Sequence, residues 1–143
     1  MNTSTKNKKY LIDSIKRCNL HRKRILDISQ KVNALHAAGA FSALEMVDTI
    51  YHKLMRKNSN KKFIDTFLMS KGHGCMSQYT VLESLGLFPK KYLDNYCTKH
   101  GILGCHPDYG VPGIEASTGS LGHGMGLAVG MAYADYIEKK NTK

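Results

Sequence analysis

Four histidines stand beside glycine or proline in this sequence, and the chemistry it could perform gathers around them. His36 precedes "AAGAFS", His73 lies inside "SKGHG", His106 opens "HPD" and His123 sits in "STGSLGHGMG". Imidazole exchanges protons near neutral pH and hydrogen-bonds phosphate oxygens, and loop ends on a rigid scaffold are where such groups act. Any one of them alone reads as an ordinary polar residue, whereas four at such sites read as a set. "CTKHGILGCH" places Cys97, His100, Cys105 and His106 within ten residues, all competent zinc ligands, but the spacing fits no common structural-zinc pattern, and no metal ligand is assigned. Gly122, Gly124, Gly126 and Gly130 open a helix without keeping the spacing of a dinucleotide-binding fingerprint, and "GVPGIEAS" before them makes a poor strand.

The chain that carries these residues has 143 of them, 42% hydrophobic and 22% charged, enough to bury the core of one globular domain. Its net charge of +10 favours anionic partners. Much of the excess lies in a basic segment over residues 1–24, read as a solvated helix face. No zinc-finger, helix-turn-helix or aromatic strand motif accompanies it, which makes nucleic acid an unlikely partner. Cys18, Cys75, Cys97 and Cys105 occur with no signal peptide and no C-x-x-C pair, the pattern of reduced thiols in a cytoplasmic protein. Leu121 to Ile137 is short and holds His123 and Asp135, so no membrane span is expected.

Helices dominate the expected scaffold. Leu11, Ile12, Ile15, Ile25, Leu26, Ile28, Val32 and Leu35 predict one long helix, or two, over Lys9 to His36. Ser42 and Glu45 have the spacing of a capping box and predict a helix through "SALEMVDTIYHKLM". "KKFIDTFLMS" is the clear strand candidate, and a helix from Cys75 to Leu85 follows it. "KKYLDNYC" predicts a short helix after Pro89, Thr98 to His123 a long irregular stretch, and His123 to Glu138 a final helix apolar on most sides. Gly122, Gly126, Gly130 and Ala134 recur every four residues there, which suits close packing against another element.

The segments "HAAGAFSALEMVDTIY", "FLMSKGHGCMSQYTVLESLG" and "GCHPDYGVPGIEASTGSLGHGMGLAVGMA", in this order, resemble the N-terminal part of transketolase, a thiamine diphosphate enzyme of sugar-phosphate metabolism. "GSLGHG" is most similar to the split, two-polypeptide forms. The resemblance implies an α/β fold with helices around a mainly parallel sheet, residues 1–143 being the front portion of the diphosphate-binding domain, incomplete at its C-terminus. It implies transfer of a two-carbon ketol unit between sugar phosphates. His36 matches a substrate-facing histidine, with Ala37 and Ala38 replacing the usual residues after it, and His106 one that contacts the donor sugar; these are the expected catalytic residues. His73 matches the histidine beside the cofactor diphosphate, and Gly119, Leu121 and His123 belong to the loop against the cofactor rings. Thiamine diphosphate and Mg2+ are the implied cofactors, although the family's G-D-G metal motif does not occur in this sequence. Expected partners are a C-terminal transketolase polypeptide and further copies in a homo-oligomer, with the isolated chain inactive and prone to associate. The alternative from another class is a non-catalytic remnant or basic protein that binds an anionic partner.

Overall fold

The computed structural model describes residues 3–142. Residues 1, 2 and 143, the extremes of the expected domain and of the basic segment, lie outside the described residues. Helix α1 (Thr3–Ser29) is followed by α2 (Ala37–Thr49), which runs on into a widened turn of π-helix at Ile50–Leu54. A single 3-10 turn at Gly72–Gly74 leads into α3 (Cys75–Ser84); α4 (Lys91–Asp94) and α5 (His123–Ile137) complete the helices.

Helix α1 ends where the Ser29 hydroxyl donates to the Leu26 carbonyl at 2.7 Å, a competing local bond of the kind that marks helix ends. Its buried stripe is Ser14, Cys18, His21, Ile25 and Ile28, spaced as one face of a helix, while Leu11, Ile12, Ile15 and Leu26 are exposed. The basic residues of this helix are partly engaged. Arg17 donates from Nε and from its terminal nitrogen to Asp48 at 2.7 and 2.9 Å, and the Ser14 hydroxyl donates to the same carboxylate at 2.6 Å. Arg22 pairs with Glu45, and Arg24 with both Glu83 and Asp94 at 2.8 Å, so α1 is tied to α2, α3 and α4 by directed charge pairs. Because Asp48 is completely buried, its pairing fixes register more than it adds net stability. The expectation of a merely solvated basic face is corrected accordingly.

Helix α2 starts at Ala37, with His36 at the N-cap, five residues before the expected Ser42. The Ser42 hydroxyl donates back to the Gly39 carbonyl at 3.0 Å and Glu45 pairs with Arg22, so the capping box is not formed. The small residues Ala37 to Ala40 admit a neighbour: a Cβ on Gly39 would stand 3.0 Å from the His73 carbonyl oxygen.

Among the described residues there is no β-strand ladder. The strand candidate "KKFIDTFLMS" is extended, with one isolated bridge between Lys57 and Phe63, and the expected parallel sheet is not formed. An extended segment becomes a strand only when another backbone pairs with it, and here helices flank it instead. Phe63 and Phe67 pack edge-on against Tyr51, at 5.5 and 5.3 Å between ring centres, while Thr66 and Leu68 face α5 across a cleft. Arg56 closes the segment's start on Asp65 at 2.6 Å and reaches the Asn141 carbonyl at 2.9 Å.

Helix α3 forms the centre of the core, with every residue from Cys75 to Leu82 buried. α1 and α2 lie against it, and the irregular stretch after α4 covers it with Leu103, Val111 and Ile114. Gly113 has φ +83, and a Cβ there would stand 2.8 Å from the Leu82 side chain, so the covering loop needs glycine for both conformation and space. No described helix is long and apolar enough to cross a membrane.

Candidate functional site

Three of the four singled-out histidines meet. His36 arrives at the N-cap of α2, His73 in the 3-10 turn before α3, and His106 in the loop ahead of Pro107. Their ring centres lie 4.8 Å apart for His36 and His73, 4.8 Å for His73 and His106, and 5.9 Å for His36 and His106. Residues some 30 apart in sequence are thus drawn into one imidazole cluster at the junction of three loops.

Backbone approach makes this possible. A Cβ on Gly72 would stand 2.9 Å from the Gly119 Cα, the His106 Cδ2 and the Thr118 carbonyl oxygen alike, a gap that only glycine leaves open. A Cβ on Gly124 would stand 2.8 Å from the Ser70 Cα, which seats the start of α5 against the same turn. Thr118, buried, donates its hydroxyl to the Met69 carbonyl at 2.6 Å and its amide to the Pro107 carbonyl at 3.1 Å, joining all three loops. Glycines in "SKGHG" and "STGSLGHG" therefore serve as spacers at Gly72 and Gly124, and Gly122 with φ +86 turns the chain into α5.

The electrostatics favour neutral imidazole. Partial desolvation, then the neighbouring His106, His36 and Lys71, hold the His73 pKa below its ordinary value. The Lys71 ammonium is directed to the Ser42 hydroxyl at 2.8 Å and the Gly39 carbonyl at 3.3 Å, which places a cation at the rim. His106 Nε2 is buried with no hydrogen-bond partner among the described residues. A buried polar atom left without a partner costs free energy, so one aimed at a cluster of this kind is a natural contact for a ligand.

Gly119 lies at the cluster, its position 3.8 Å from the His106 ring by the same Cβ measure. Leu121 and His123 do not join it: Leu121 is 69% exposed, and His123, the first residue of α5, is exposed and makes no ring contact with the three. The cleft between the extended segment and α5 contains none of the three histidines, so the site is defined by their convergence and not by concavity. No group of three or more His, Cys, Asp or Glu among the described residues is arranged to hold a metal ion. Thr118, Lys71, Tyr79 and Cys105 support the site but were not singled out for it by the sequence reading. "SKGHG" and "GCHPD" mark Lys71 and Cys105 as neighbours of site histidines, whereas nothing local marks Tyr79.

Residues 14–142 match the family described as transketolase, thiamine diphosphate binding domain. The chain belongs to this family. It is 38% identical over 126 residues to one of the two apulose-4-phosphate transketolase polypeptides, from Phocaeicola vulgatus, an alignment covering 86% of this chain and 45% of that protein. It is 35% identical over 127 residues to the 6-deoxy-6-sulfo-D-fructose transketolase subunit SqwG of a Clostridium species, covering 86% and 46%. With the chromosomal transketolase of Cupriavidus necator it shares 35% identity over 132 residues, covering 88% of this chain and 20% of the relative. The chain thus spans less than half the length of these relatives. The unpartnered His106 Nε2 and the glycine-lined backbone junction are features that a cofactor of this transketolase family could occupy, so residues and cofactor fit.

Proposed function

We propose that this transketolase-family domain supplies the diphosphate side of a site for moving a two-carbon ketol unit between sugar phosphates. The observation that carries this reading is the convergence of His36, His73 and His106 around a buried imidazole nitrogen with no partner in the chain. When bound, thiamine diphosphate supplies an electron sink for cleaving a carbon–carbon bond beside a carbonyl. His73 and the Gly119 loop would hold it, with Leu121 and His123 completing that wall.

The chain's own residues then do polar work. A neutral His73 can donate from one nitrogen and accept at the other, so it binds without adding repulsion to Lys71. His106 offers Nε2 to a sugar oxygen in an environment where water is partly excluded, which strengthens the contact. His36, exposed at the head of α2, can exchange a proton with the same ligand and with solvent. The basic surface draws in phosphate-bearing sugars.

In this reading residues 1–143 form part of the diphosphate-binding domain, led by the basic segment 1–24, and the extended stretch "KKFIDTFLMS" is the strand on which a sheet assembles. Mg2+ would take carboxylate ligands from outside this sequence. A C-terminal transketolase polypeptide supplies the rest of the site, in a cytoplasmic homo-oligomer.

The test is calorimetric titration of thiamine diphosphate and Mg2+ into the chain, alone and with such a polypeptide, followed by transfer assays. His106→Ala is expected to lower kcat about 10²–10⁴-fold, the range for a lost proton-transfer group, with cofactor affinity little changed. Normal turnover by that variant removes His106 from the site. Absence of both binding heat and turnover in the reconstituted protein sinks the whole reading.

A further inference from the structure

We propose that Cys105 is a positioning residue: its thiol fixes which nitrogen of His106 carries the proton, presenting Nε2–H as a donor to the bound substrate. This rests on the reading of His106 as a substrate-facing residue. The Cys105 Sγ lies 3.4 Å from His106 Nδ1. Two polarities are open to that contact, and they are unequal. An imidazole nitrogen lone pair accepts well, whereas a thiol sulfur accepts poorly and donates weakly, so S–H to Nδ1 is the better match. With Nδ1 accepting, a neutral ring carries its proton on Nε2. That is the buried atom with no partner in the chain.

The backbone keeps thiol and ring together. The hydroxyl of Tyr79, itself completely buried, donates to the His106 carbonyl at 2.7 Å and lies 3.3 Å from that of Gly104. The Cys75 thiol donates to the Cys105 carbonyl at 3.2 Å. Three successive carbonyls are thereby pinned from α3. The ring is confined as well, because the space a Cβ on Gly72 would need lies 2.9 Å from its Cδ2 edge. An Nε2–H held in this way suits an acceptor, such as a sugar hydroxyl, a carbonyl or a developing oxyanion, and does not suit proton abstraction from the ligand. His106 is thereby assigned as the hydrogen-bond donor of the cluster, which leaves proton acceptance to His36.

The experiment is long-range 1H–15N correlation spectroscopy of the 15N-labelled full chain, which reads the two ring nitrogens of His106 directly and requires neither cofactor nor activity. The wild type should show a pyridine-type Nδ1 and a pyrrole-type Nε2. Cys105→Ala should move both resonances toward the tautomer average, a change of about fivefold in the tautomer ratio, as a hydrogen bond worth about 1 kcal/mol supports. Cys105→Ser, which keeps a donor, should restore the wild-type pattern. Should the alanine variant not fold, methylthiolation of folded wild type with methyl methanethiosulfonate removes the same proton, and the same shift is expected. A wild-type Nδ1–H, or a His106 spectrum unchanged by both alanine and thiol capping, overturns the proposal. Failure to bind thiamine diphosphate would count against the functional reading and leave this spectrum unaltered.

Discussion

Helices α3 and α5 pose the same problem in sequence and meet opposite fates. α3, "CMSQYTVLES", is buried along eight consecutive residues although it carries serine, glutamine and threonine. α5, "HGMGLAVGMAYADYI", is the more apolar of the two, yet Gly124 is its one buried residue, with Met125, Val129 and Tyr133 each more than 60% exposed. α3 has neighbours on every side and tolerates polar groups because they are bonded: Ser77 donates to the Gly74 carbonyl, Thr80 to that of Met76, and Gln78 to the Tyr51 hydroxyl. α5 is joined to the body through the contact of Gly124 with Ser70 and through the tail beyond it, where Arg56 grips Asn141. An apolar helix therefore states a demand for neighbours without stating that they are met.

The sharpest way to test this contrast is truncation of one side chain in each helix. Leu82→Ala, in the centre of α3, should cost about 2–5 kcal/mol in denaturant unfolding, the loss of a buried side chain plus the cavity it leaves. A cost below about 1 kcal/mol would mean that the α3 core repacks freely.

The next effect concerns the buried face that α1 presents to α2. Burial pushes the His21 pKa down to about 4, against the partial opposition of Asp48 and with help from His52 and Arg17. In the unfolded chain this histidine titrates near its ordinary value, so between about pH 6.5 and 4 the unfolded state binds more protons. The stability due to neutral His21 is complete above that window and is lost as pH falls through it, by about 2–3 kcal/mol. The lowered pKa of His52 acts in the same direction. Asp48, held low by Arg17 and Ser14 despite its desolvation, adds a further loss as the pH falls below the ordinary carboxylate value. Unfolding measured at pH 7 and pH 4.5 checks this, and a stability independent of pH in wild type would refute it.

The smallest effect is expected at α5. Val129→Ala should change stability by no more than about 0.5 kcal/mol, as for an exposed position. A loss comparable to that of Leu82→Ala would show that this face is covered in solution.

Much of the site was legible because its parts are local. "SKGHG", "GCHPD" and "GSLGHG" each put a histidine at a bend that glycine or proline enforces, and the three can be gathered as candidates from the letters alone. The irregular stretch after Thr98 and the positions of all the later helices follow from the same punctuation. The buried stripe of α1 did not. Leu11, Ile12 and Ile15 promised a core face, but the face that packs carries Ser14 and His21, because Asp48 and His52 wait for it on the neighbouring helix. Nor could Ser42 be told from a cap until His36 had been drawn out toward His73.

By itself the sequence determined which residue types stand at which bends, where helices can begin and stop, and which residues could exchange protons. Tertiary structure alone decided that His36, His73 and His106 share one cluster while His123 stays outside it, that the Tyr79 hydroxyl holds the carbonyl of a residue 27 positions away, and that an extended segment rich in strand formers has no ladder. The reason is one of range. Propensity, capping and turn chemistry act over a few residues, whereas burial, strand pairing and the partner of a buried polar atom are set by groups that folding brings from elsewhere in the chain.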